Sequence, residues 1–414
     1  MFLHKKPAVK SAKRLKLDVK LDFDAKEEEL RGGLNVFRDG NRLVSKFQRN
    51  SLPISSPLKQ TLGTNGDIVY LLFEDGLYAV QNALLSWLTL DVAEKACFCV
   101  YRGDTVVSSK EFGTYFLVKT KAKKVHADGF SSMTVCADRI FGLYGKDVRY
   151  TAAGERDGWD NGETITLPSA CDVLVTIGQT VYALGNTCYK IAPDGDDVEF
   201  KFRVFANNIG AVAPLSVVNY NGRAVLASSS GLYQISSDKL TPIFEELSQV
   251  VDFSAASGAM SNGKYYLTCR TKNSAENAND VTLILDLDSE KIVGNLGEGF
   301  GSICANNEMI YSEIGGKLYR IKSGVSQGKF FKTNVDFSTS QKKFLDSMTV
   351  TTLNDLDVII RSENETRLYK ITGKKTPQKI NLRDMGWEFS IELSSDMGLN
   401  VEKLTLFAHT TAEV

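Results

Sequence analysis

Apolar residues along this chain fall mostly in short runs of four to seven, rich in Val, Ile, Tyr and Phe and bounded by Gly, Asn, Asp or Ser. That is the pattern of strands joined by tight turns, not of amphipathic helices. Only residues 24–30 (DAKEEEL) and 83–87 read as possible short helices. Residues 171–204 hold a complete unit: CDVLVT, a turn at 177–179, TVYAL, a turn at 185–186, TCYKI, a turn at 193–195, and a fourth apolar stretch at 198–204. The plan recurs at once as SVVNY, Asn221-Gly222, RAVLASS, Gly231, LYQIS, Ser237-Asp238 and LTPIF. Asn-Gly between two apolar runs predicts a hairpin, because both residues tolerate the positive φ of a type I′ turn.

The third strand of these units carries a phrase built on tyrosine. It reads GLYAV around Tyr78, GLYG around Tyr144, TCYKI around Tyr189, GLYQI around Tyr233 and KLYRI around Tyr319. Successive tyrosines are 66, 45, 44 and 86 residues apart, the last gap being twice 43 with LILDL at 283–287 filling it. A period near 45 with four strands per unit predicts a β-propeller of six or seven blades, seven being favoured. One four-stranded sheet cannot bury both faces alone, whereas sheets stacked around an axis can. These five tyrosines are therefore expected at equivalent, largely buried core positions.

The flanks lack the rhythm. Residues 1–56 begin with Lys5, Lys6, Lys10, Lys13, Arg14, Lys16 and Lys20 against the single acid Asp18, then continue into the alternating strand LKLDVKLDFD and a glycine-rich hairpin at 31–47. After a propeller at 57–335, residues 336–414 form a further run of alternating strands, which predicts a small β-sandwich. The fold expected is all-β. A basic arm too poor in apolar groups to pack its own core is expected to dock on a partner, its following strand adding to that partner's sheet.

Charge and composition narrow the function. Lys+Arg 49 against Asp+Glu 50 gives a net charge of −1, so no global field selects a polyanion as the main partner. The most apolar stretch, 71–92, is broken by Glu74, Asp75, Gln81, Asn82 and Ser86, which excludes a clean spanning helix. Seven cysteines without a CxxC pair read as neither a disulfide framework nor a zinc site. The N-terminal residues have charge without the apolar core of a signal peptide, which predicts synthesis in a reducing cytosol.

Catalytic signals are weak. His4, His126 and His409 are far apart, and no HExxH, GxSxG or P-loop occurs. PDGDD at 193–197 lacks the full calcium-ligand series, so a solvated turn is favoured. The acidic segment 155–163, with an exposed-looking Trp159, reads as a long inter-strand loop before it reads as a sugar or metal site. Lys119, Lys121, Lys123 and Lys124 read as protection of a strand edge. No catalytic residue, cofactor or metal is expected.

RGGLNVFRDGNRLV at 31–44, SNGKYYLTC at 261–269, GKFFKTNVDFSTSQKKFLDSMTV at 328–350, DVIIRSE with ETRLYKI at 357–371, and GWEFSIELSSDMGLNVEKLTLF at 386–407 together resemble the tail nozzle or hub proteins of short-tailed bacteriophages, also called packaged-DNA stabilisation proteins. The resemblance spans most of the chain and rests on the order and style of its strands. It implies a non-enzymatic virion protein, made in the host cytoplasm, that forms a ring, commonly a homohexamer. The ring would lie below the portal and adaptor, retain the packaged DNA and later pass it without sequence-specific contacts. The alternative reading is a glycan- or receptor-binding propeller at the tail tip. Trp87, Trp159 and Trp387 do not recur at the blade period, which counts against it.

Overall fold

A computed structural model describes residues 13–410 apart from 46, 55, 82–83, 89–92, 119–120, 161, 195–198, 237–238, 307–308, 325 and 336. It is nearly all β and divides into two compact units. One comprises Gln48–Lys291 with Glu298–Ser323; the other comprises Met1–Phe47, Ile292–Gly297 and Gly324–Val414.

The first unit is a propeller, with seven sheets among the described residues. Blades 1 to 5 are meanders of four consecutive strands. They begin at Leu58–Asn65, Cys97–Tyr101, Ser132–Cys136, Val173–Ile177 and Val218–Tyr220 and end at Leu84–Leu88, Lys121–His126, Glu163–Thr166, Phe200–Asn207 and Lys239–Ile243. Blade 6 contributes Val251–Ser261, Lys264–Thr271 and Val281–Asp286 to this unit. Blade 7 joins Ile303–Ala305, Ile310–Ile314 and Lys317–Ser323 to Phe47–Ser51, a strand from the other end of the chain. Neighbouring blades pack through their inner strands in chain order, and the first strand of blade 7 returns against that of blade 1.

The inner strands of the blades are buried on both faces, which explains their continuous apolar runs. In blade 4, Val181, Ala183, Tyr189 and Ile191 face Phe141, Leu143 and Tyr150 of blade 3. Tyr182, Leu184 and Cys188 face Ala224, Leu226 and Ile235 of blade 5. Between blades no backbone ladder is available, and serine hydroxyls take its place. Ser132 Oγ accepts Leu174 N–H at 2.9 Å, Ser257 Oγ accepts Ile303 N–H at 3.0 Å, and Ser302 Oγ accepts Thr61 N–H at 2.9 Å.

The second unit is a β-sandwich. One sheet places Arg42–Val44 and Arg14–Asp18 along the same edge of Asn400–Thr410, followed by Lys343–Thr352 and Lys374–Gly386. The hairpin partner of Arg42–Val44 is Val36–Asp39, whose Val36 and Phe37 pair with Asn295 and Gly294. The other sheet runs Gly328–Lys332, Ser390–Ser395, Leu356–Arg361, Thr366–Ile371. Leu43, Met348, Val350, Leu404 and Leu406 from the first meet Phe330, Val358, Ile360, Ile391 and Leu393 from the second in one core.

Several expectations need correction. The propeller runs from 48 to 323 with residues 292–297 removed, not from 57 to 335, because the polar strand Phe47–Ser51 completes blade 7. Residues 84–88 form the outer strand of blade 1, held by a ladder to Gly76–Gln81, rather than a helix. The other expected helix is present as Glu27–Gly32, a single short turn and a half.

Candidate functional site

Four of the five repeat tyrosines lie on third strands: Tyr78, Tyr189, Tyr233 and Tyr319. Tyr189 is buried and shares a 2.7 Å hydrogen bond with the Ser169 hydroxyl, while the other three are half-buried. Tyr144 departs from the series. It ends the second strand of blade 3 and is 46% exposed, with Arg149 5.3 Å from its ring centroid. The missed third-strand member is Tyr115, in Gly113-Thr114-Tyr115 of blade 2. These positions are architectural.

The loop at 151–162 also differs from expectation. Trp159 is only 8% exposed and stacks on Phe130 at 4.5 Å and His126 at 5.5 Å, inside the core shared by blades 2 and 3. Arg156 reaches Asp104 at 2.6 Å and Lys123 reaches Asp157 at 3.5 Å, so the loop is fastened down on both sides. An indole held this way is not presented to a sugar. Lys121, Lys123 and Lys124 are exposed on the outermost strand of blade 2, and Lys119 lies outside the described residues. Of PDGDD, Asp194 pairs with Lys201, and residues 195–197 are outside the description. Among the described residues no cluster of three or more His, Cys, Asp or Glu is placed to hold a metal ion. No helix among them is long and apolar enough to cross a membrane.

The candidate site instead gathers on the sandwich. Lys5, Lys6 and Lys10 lie outside the described residues; Lys13, Arg14, Lys16 and Lys20 are exposed. The strand expected to add to a partner's sheet is already engaged within its own chain. Arg14–Asp18 pairs antiparallel with 405–409, directing Leu15 and Leu17 at the sandwich core. Hydrophobic alternation made the strand legible, but the same alternation serves an internal sheet equally well.

Near the ends of the second sheet lies a cavity of about 370 Å³, lined by Glu28, Phe331, Arg361, Glu363, Glu388 and Phe389 among others. Arg361 sits 5.7 Å from the Phe331 ring centroid and donates to Glu392 at 2.7 Å. Glu363 accepts the backbone N–H groups of Trp387 and Glu388 at 2.9 and 2.7 Å. Burial acts to raise its pKa, and these amide bonds outweigh it, leaving the carboxyl below its usual range. Beside this cup, Trp387 is 52% exposed. Leu353, Leu368, Met385 and Met397 are exposed on the same domain.

No family model matches the chain, and no curated protein does. Solved structures resemble it, and the first named here shares its fold. The extracellular domain of the provisionally described one-component system BT4673 of B. thetaiotaomicron is 8% identical with a TM-score of 0.51, covering 90% of this chain and 62% of that one. A computationally designed protein, Ika8, is 10% identical with a TM-score of 0.43, covering 66% and 98%. A protein provisionally described as a gluconolactonase is 9% identical with a TM-score of 0.39, covering 70% and 94%. Identities this low speak to fold alone.

Proposed function

We propose that this protein is a structural component of a short-tailed phage tail: a nozzle or hub subunit whose copies form a ring, commonly six, below the portal and adaptor. In that place it continues the DNA channel, retains the packaged genome and releases it on infection. The observation that carries the reading is the density of exposed apolar side chains on the sandwich. Of the ten large apolar residues exposed among the described ones, five (Leu353, Leu368, Met385, Trp387 and Met397) fall within the last 91 residues, while Val100, Val118, Tyr144, Phe202 and Val204 are spread over the much longer propeller. Apolar groups at that density on one small domain support an association surface. A propeller whose inner strands are buried on both faces supplies a stiff body on which such a domain is carried. The resemblance of both flanks to the nozzle family, in the order and style of their strands, supports the same assignment.

The test is native mass measurement of the purified chain together with antibody detection in purified particles. A closed ring and a fixed copy number per virion are expected. A chain that stays monomeric at high concentration and is absent from particles overturns the reading.

A further inference from the structure

The outer face of the sandwich sheet that receives the N-terminal strand combines cations with aromatic rings. Strand register sets Arg14, His409, Phe344 and Met385 in one row across four strands. Lys16, Phe407, Ser347 and Asn381 form the next row, and Asp18, Thr405, Thr349 and Lys379 the third. Arg383 is exposed on the same face, two residues from Met385. The strip is three strand spacings wide, about 14 Å. Arg14 and Lys16 border it on one side, and Lys379 and Arg383 on the other.

Within the strip the two acids are occupied, and Glu402, beyond its third row, meets Arg42 at 4.0 Å. Asp18 accepts the Thr405 hydroxyl at 2.6 Å and meets Lys403 at 3.2 Å; Asp346 lies 2.8 Å from His409 Nδ1. Arg14, Lys16, Lys379 and Arg383 are exposed and form no ion pair among the described residues. Between them Phe344, Phe407 and His409 are half-buried, with the Phe344 and His409 rings 5.2 Å apart and tilted by 33°. The chain's net charge of −1 makes this face a local exception.

We propose that this face binds single-stranded nucleic acid, with phosphates over the four cations and bases against the three rings. The inference goes beyond the tail assignment and does not depend on it. Rings on an open sheet are of use to bases that are not already stacked in a duplex. A duplex would engage the cations alone and leave the rings idle. An acidic peptide would likewise find no role for the rings. A basic border with an aromatic centre matches the two demands of a single strand: charge for its backbone and flat apolar surface for its bases.

The experiment is fluorescence anisotropy of the full chain with labelled oligothymidylate and with a duplex of the same length, across a salt series. The single strand should bind more tightly. If all four cations meet phosphates, the slope of log affinity against log salt is about −2.8. The double variant Arg14→Gln, Lys16→Gln should roughly halve that slope. Phe407→Leu should lower affinity on the order of tenfold while leaving the slope unchanged. Lys121→Gln with Lys124→Gln, on the propeller, should change neither. Melting curves check that each variant is folded. A preference for duplex, equal displacement by polyglutamate, absence of binding, or a slope indifferent to Arg14 and Lys16 overturns the proposal.

Discussion

The hydroxyl of Ser132, in blade 3, accepts the backbone N–H of Leu174, in blade 4, at 2.9 Å. Both residues are buried, at 5% and 4% exposure. Leu174 N–H points out of its own sheet's ladder toward the neighbouring blade, so a side chain must satisfy it. Ser302 does the same for Thr61 between blades 7 and 1, where the ring closes. Removal of the hydroxyl strands a buried donor. Ser132→Ala should therefore cost about 1–3 kcal/mol, more than the deletion of one exposed oxygen would. Denaturant titration reads this directly. A midpoint unchanged from the parent would show that water or a shifted partner replaces the serine.

The tyrosine series separates architecture from coincidence. Tyr189 is 2% exposed, packs edge-on against Phe202 at 5.8 Å and holds Ser169; Tyr144 is 46% exposed. Tyr189→Ala should lower stability by about 3–5 kcal/mol, as for other large buried aromatics. Tyr189→Phe should lose about 1 kcal/mol, the value of one hydrogen bond. Tyr144→Ala should stay within about 0.5 kcal/mol of the parent. Equal losses at Tyr144 and Tyr189 would place both in the core and contradict the register of blade 3.

Glu392 ties acid stability to the sandwich. Burial acts to raise its pKa, but Lys329 at 2.9 Å and Arg361 at 2.7 Å outweigh that and hold it below the usual 4.5. The folded state therefore favours the carboxylate. Its stabilisation is fully present above the unfolded value and is lost as pH falls from 4.5 through the lower folded value. Glu392→Gln should cost about 2 kcal/mol at neutral pH, the scale of charged hydrogen bonds. The gap between variant and parent should close on acidification. Urea melts at pH 7 and near pH 3 test this; a gap that persists at the acid end assigns the loss to packing instead.

The propeller was legible because its blades announce themselves locally. Asn221-Gly222 turns a hairpin with φ of 48° and 72°, and strands buried on two faces leave runs such as VLVT and RAVLAS. Three features had no such signature. Phe47–Ser51 is polar and half-exposed, so nothing in FQRNS identifies a blade strand whose partner, Lys317–Ser323, lies some 270 residues away. The GLYG phrase at Tyr144 arises for another reason than the third-strand repeat. Gly142 lies under the Phe130 ring, where a Cβ would come within 2.5 Å. The row Arg14, His409, Phe344, Met385 unites four segments from the two ends of the sequence, and spacing along the chain carries no record of that register. The charge of the arm was visible, and the surface it helps to build was not.

All seven cysteines are free, and the fold sets how they react. Burial pushes the thiols of Cys99 and Cys304 up to about 12 and that of Cys136 up to about 11. Cys171 is half-exposed, yet burial, followed by the nearby Cys188 and Asp172, raises it to about 12 as well. Cys97, raised above all by burial, donates its Sγ–H to the Phe130 carbonyl at 3.3 Å. Because the thiolate is the nucleophile, a pKa near 12 leaves on the order of one in ten thousand such groups reactive at pH 8. In the native chain Cys99, Cys136, Cys171 and Cys304 should thus react with an aromatic disulfide reagent at least about a hundredfold more slowly than a free thiol of ordinary pKa. In denaturant all seven should titrate at the ordinary rate. Adding denaturant below the unfolding transition should accelerate the native reaction only as local opening becomes populated. A thiol that reacts in the native protein as fast as free cysteine would expose an error in the packing of its blade, and peptide mapping of the labelled product would say which one.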